Sequence, residues 1–125
     1  MDFDTLHWTV TMGVNSGYQL EAQQDIGIDA FAAEFQRISE EVHTSTGIYI
    51  TGVVMPSRTV YSQQFGCPKK GEISYTISGS CNPAFATPEP YMDALRLVIA
   101  ELKKSYGQAT MLLEVVPAHL EYFRD

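Results

Sequence analysis

The chain is short of cysteine and of positive charge. Among its 125 residues are two cysteines and eight lysines or arginines, set against fifteen aspartates or glutamates, for a formal net charge of −7. So few cations exclude a nucleic-acid partner, because a surface for phosphates needs clustered Lys and Arg. The two adjacent basic pairs have local explanations. Lys69-Lys70 sits on a predicted turn, and Lys103-Lys104 falls in the last turn of a predicted helix, where cations suit the dipole. The two cysteines lie at opposite ends of a predicted strand. Cys67 is at a hairpin tip and Cys81 beyond the far end, so strand rise holds them out of disulfide reach. Free thiols in a reducing compartment follow. No CxxC and no nearby histidine accompanies them, so no zinc or other metal site is expected.

Other absences narrow the class further. No apolar run approaches bilayer length, so no membrane partner is expected. The opening residues Met1-Asp2-Phe3-Asp4-Thr5 are acidic and do not read as a signal peptide, which predicts a cytoplasmic protein. No GxGxxG, Walker loop or GxSxG elbow is present, and no cofactor is expected.

Enough apolar residue is present, 45% of the chain, to bury a core over residues 1–125 as a single α+β domain. Residues 6–14 alternate, with Trp8, Val10, Met12 and Val14 on one face and His7, Thr9, Thr11 and Gly13 on the other, which predicts a half-buried strand. Residues 15–27 form a long polar loop in which Tyr18 and Leu20 could pin the chain or line a pocket. Residues 28–44 repeat Ile28, Phe31, Phe35, Ile38 and Val42 at helical spacing, with Asp29 as the expected N-cap and Gly47 as the stop. Residues 47–55 are β-branched and are broken by Pro56. The chain resumes over 59–66, as a second strand or as one bent strand across 47–66.

The stretch TVYSQQFGCPKKGEISYTISG, residues 59–79, predicts two strands folded about a Cys67–Gly71 turn. Its second half puts Ile73, Tyr75 and Ile77 on one face and Glu72, Ser74, Thr76 and Ser78 on the other. Thr87-Pro88 opens a second amphipathic helix that carries Met92, Leu95, Ile99, Leu102 and Tyr106 and stops at Gly107. Residues 109–116 form a last strand, interrupted by Pro117 and placed at an edge.

This order is the β-α-β-β-α-β plan of ferredoxin-like domains, with two helices on one face of an antiparallel sheet. The other face has nothing to cover it. His7, Thr9, Thr11, Ser74, Thr76 and Glu114 occupy it. Candidate acid/base residues are His7, Glu114 and His119; His119 and Glu121 share a face by their spacing of two.

The C-terminal residues Tyr106, Gly107, Gln108, Leu112, Val115 and Phe123, with Gly47-Ile48 in mid-chain, resemble a family of small bacterial domains of unknown function. The resemblance implies the same order of elements and supplies no activity and no catalytic residue. The family's Gly-Gln-Trp step after the mid-chain strand is absent here.

Three functional readings follow. The first is an uncharacterised module that binds another protein or copies of itself, expected as a homo-oligomer and first of all a dimer. The second is a cofactor-independent isomerase or lyase with its site between the sheet and the 15–27 loop, using His7, Glu114 and His119. The third is an acidic protein inhibitor.

Overall fold

The computed structural model describes residues 1–16 and 23–125. The elements are β1 (Asp2–Gly13), α1 (Ile28–Thr46), β2 (Val53–Thr59), a short 3-10 turn (Gln63–Phe65), β3 (Glu72–Ser80), α2 (Pro88–Ser105) and β4 (Leu112–Glu121). The strands form one sheet in the order β2-β3-β1-β4, antiparallel at every neighbouring pair. The expected ferredoxin-like α+β architecture is therefore present.

Alternation decides which residues meet the helices. Trp8, Val10 and Met12 of β1 and Ile73, Tyr75 and Ile77 of β3 are buried against Phe31, Phe35 and Ile38 of α1 and Leu95, Val98 and Leu102 of α2. Each such side chain contributes about 1.5–3 kcal/mol on burial. The Trp8 indole N–H donates to the Tyr91 hydroxyl at 2.7 Å, which satisfies the one polar group this ring brings inside. Burial pushes the Tyr91 hydroxyl up to about 12.

The helix ends follow from local chemistry. Gly47 closes α1 in the left-handed conformation, its N–H bonded to the His43 carbonyl. Gly27, not Asp29, holds the N-cap position, and Asp29 lies in the first turn, where a carboxylate suits the dipole.

Two strand expectations are corrected. Residues 47–52 are not a strand, although Ile48 and Ile50 pack against or within the core. Pairing begins at Val53, opposite Ser78, and β2 runs through Pro56 to Thr59 without a break. The region is thus neither two strands nor one bent strand across 47–66. Pro117 likewise lies inside β4, opposite Leu6. Both prolines are tolerated because β2 and β4 are the outer strands of the sheet. Gly79 allows the strand ends to close up: a Cβ there would lie 2.6 Å from the Thr51 carbonyl and 2.7 Å from the Trp8 ring.

Among the described residues no helix is long and apolar enough to cross a membrane. Cys67 and Cys81 are both free and buried. Tyr18 and Leu20 lie outside the described residues.

Candidate functional site

The open face of the sheet carries a row of hydroxyls. Thr11 and Thr76 meet at 2.8 Å, Thr76 donates to Ser57 at 3.1 Å, Ser57 and Ser74 meet at 2.8 Å, and Thr59 donates to Ser74 at 3.1 Å. Each hydroxyl is both donor and acceptor, so the row satisfies itself across three strands.

At one end of this face lies a cavity of about 480 Å³, within the size range of small-molecule sites. Its floor is Thr9, Thr11 and Gly13 of β1. Thr59, Tyr61 and Glu72 form one wall, and Gln108–Leu112 with Glu114 form the other. Among the described lining residues there are two carboxylates and no lysine, arginine or histidine.

Three local devices shape it. Gly13 is the first. A Cβ at Gly13 would fall on Glu72 Oε1 and lie 3.1 Å from Gln108 Oε1, so its bare backbone makes room for both side chains. The second is Cys67, whose thiol faces the Thr59 and Pro68 carbonyls at 3.9 and 3.3 Å while its sulfur accepts from the Tyr61 N–H at 3.5 Å. That knot sets the backbone that carries Tyr61. The third is the turn at Tyr106-Gly107-Gln108. Phe31 stacks between Tyr75 at 4.6 Å and Tyr106 at 5.4 Å, Gly107 takes a positive φ of 60°, and the Gln108 amide donates to the Asn15 and Tyr106 carbonyls at 3.0 and 3.1 Å.

The ends of the 15–27 loop are fastened beside the cavity. Asn15 bonds Gln23 and Gln24 through its side chain, and the Gln23 side chain accepts the Ile73 N–H at 3.1 Å. Asp25 accepts from the Tyr75 hydroxyl at 2.7 Å and from the Gly27 N–H at 2.9 Å. Those bonds, the tyrosine's first, hold the Asp25 carboxyl below its ordinary value. Burial, then the Asp25 contact, pushes the Tyr75 hydroxyl up to about 12.

The three expected acid/base residues do not converge. Glu114 lines the cavity. His7 shares its sheet face but stands outside the lining, its Nδ1 2.9 Å from the Ser80 hydroxyl. His119 pairs with Asp4 across the β1–β4 ladder, on the helix side of the sheet. There its Nδ1 lies 3.1 Å from Asp4 Oδ1. That hydrogen bond first, then the charges of Asp4, Asp2 and Glu121, raises the His119 pKa. Asp2, His119 and Glu121 bring one ligand-type atom each within 4.8 Å of one another at this exposed end.

Residues outside the expected acid/base set build the cavity: Gly13, Tyr61, Glu72 and Gln108. One signal in the sequence points to them. Glu72 is the single charged residue on an otherwise hydroxyl-bearing strand face, and nothing in the periodicity requires it there.

Fold and cavity together define a ferredoxin-like domain with an acidic, hydroxyl-lined cleft on its open sheet face. The chain belongs to the SAM lyase family, whose model matches residues 3–124. A solved structure of a phage SAM lyase in complex with S-methyl-5′-thioadenosine has the same fold. The two align with a TM-score of 0.63 at 15% identity, covering 94% of this chain and 90% of that one. No curated protein matches the chain. Membership corrects two expectations. The family is one of lyases and not a group of unknown function, and the readings as an uncharacterised binding module or an acidic inhibitor give way to the alternative of an enzyme.

Proposed function

We propose that this chain is a lyase acting on S-adenosylmethionine (SAM), cleaving it in the open-face cavity to S-methyl-5′-thioadenosine. The observation that carries the reading is the family match over residues 3–124 on a chain whose described cavity lining offers two carboxylates and no cation. SAM carries a sulfonium and an ammonium against one carboxylate, so it arrives as a net cation and suits an acidic cleft. The Thr9, Thr11 and Thr59 hydroxyls suit a ribose. Tyr61, Met111 and Leu112 offer flat and apolar surface to a purine.

Breaking the bond between sulfur and Cγ returns its electron pair to sulfur and frees the neutral thioether. Cγ must then receive a pair. The substrate's own carboxylate oxygen supplies it by attack from behind, closing a five-membered lactone with no proton moved and no water consumed. The competing route, loss of a Cβ proton to an alkene, needs a base aimed at an unactivated C–H, and it would remove a deuteron from a labelled Cβ. The protein's work is to hold the chain folded for internal attack, an entropic contribution.

The test is incubation with SAM deuterated at Cβ, followed by chromatography and NMR. S-Methyl-5′-thioadenosine and a lactone retaining both deuterons are expected, with kcat/KM for Glu72→Gln lower by about 100-fold. No thioether product from the unmodified protein would overturn the reading.

A homo-oligomer is proposed alongside. Its support is the exposed apolar rim of the open face away from the cavity, Val53, Met55 and Val116, which a second copy would cover. The two free, buried thiols support a cytoplasmic setting.

A further inference from the structure

The Gln108 amide has a fixed direction. Its nitrogen donates to two backbone carbonyls, Asn15 and Tyr106. An amide turned the other way would set an acceptor against both carbonyls, so Oε1 is left facing the cavity. It faces the space above Gly13, where Glu72 Oε1 also lies. Among the described residues the Glu72 carboxylate makes no hydrogen bond or ion pair. Among the described residues, two acceptor oxygens thus border one small space with no donor between them. They are close enough that a single nitrogen can reach both. A half-buried carboxylate beside an oriented carbonyl dipole is an incomplete arrangement. What completes it is a cation bearing N–H groups.

We infer that Glu72 and Gln108 together bind the α-ammonium of the substrate, and that Gln108 is a specificity-determining residue. The inference rests on the reading of the chain as a SAM lyase. The sulfonium would leave both acceptors without a hydrogen bond, because it has no N–H to donate, whereas the ammonium has three. The ammonium also keeps its charge through the reaction, so the contact orients the amino-acid half from binding to product. Anchored there, the substrate carboxylate stays free to reach Cγ. The Tyr106-Gly107-Gln108 step thereby gains a purpose, since the Phe31 stack and the Gly107 turn deliver an amide whose donors are already used.

The experiment compares SAM with its desamino analogue, in which hydrogen replaces the α-ammonium, in the unmodified protein and in Gln108→Met and Glu72→Gln. The unmodified protein should prefer SAM by about tenfold to hundredfold in kcat/KM, the scale of hydrogen bonds to a charged group. In Gln108→Met that ratio should fall by about tenfold, while affinity for S-methyl-5′-thioadenosine, which lacks the amino-acid half, stays within about twofold. Should Gln108→Met lose the thioether as well, its turn has collapsed, and the ratio in Glu72→Gln decides. An unchanged ratio in Glu72→Gln, or no preference for SAM in the unmodified protein, would overturn the inference. Failure of the functional reading looks different, since neither substrate would then yield a thioether with the unmodified protein.

Discussion

Gly13 shows how much one missing side chain can determine. Its backbone is strand-like, so conformational freedom is not the reason for a glycine here. The reason is that Glu72 and Gln108 occupy the place where a Cβ would stand. Gly13→Ala should therefore fold with nearly the same melting temperature and lose about tenfold or more in kcat/KM, because a displaced carboxylate forfeits its geometry. Calorimetry beside a kinetic assay checks both halves, and an active Gly13→Ala would show that Glu72 is not held where the reaction needs it. The sequence could not reveal this. Gly13 reads as the end of an alternating strand, and only the β1–β3 pairing, which sets Gly13 opposite Ser74, brings Glu72 alongside. His119 shows the converse. Spacing along one strand places it with Glu121 correctly, but which face those residues share depends on the register with β1. That register puts His119 opposite Asp4, on the helix side, and Glu114 opposite Thr9, on the open side.

Elements were legible where one face is buried over several turns. Phe31, Phe35, Ile38 and Val42 mark α1 because burial selects them at helical spacing, and they are buried. The 47–52 segment misleads for a physical reason: Ile48 and Ile50 serve the core without pairing, and composition alone does not separate those roles. At the same scale, the Asp25–Tyr75 bond ties the end of the 15–27 loop to β3. The folded state holds the Asp25 pKa below its ordinary 3.8. A depressed acid contributes stability that is fully present above the unfolded value and is lost as pH falls through the folded value. The loop's fastening should thus persist at pH 5 and weaken only below about pH 4. Tyr75→Phe removes the main cause, so carboxyl titration by NMR should show the Asp25 pKa moving back up toward 3.8, with less stability lost on acidification. An Asp25 titration unmoved by the substitution would assign the depression to another group.

For the whole molecule, net charge is the property with kinetic consequences. If the proposed reading holds, a chain of net charge −7 and its cationic substrate attract at long range. Raising salt from about 20 mM to about 0.5 M should cut kcat/KM severalfold, because the screening length contracts to a few ångströms. The affinity for neutral S-methyl-5′-thioadenosine should barely respond. Equal salt effects on both would show that the surface charge does not steer. The outer strands carry a different whole-molecule consequence. β2 and β4 each hold a proline in mid-strand, Pro56 and Pro117. Proline offers no N–H, and its ring obstructs flat approach, so each rim is a poor template for further pairing. Copies of this chain are thereby steered away from stacking rim to rim into continuous ribbons. A protein accumulated to high concentration keeps a built-in guard against fibrous aggregation.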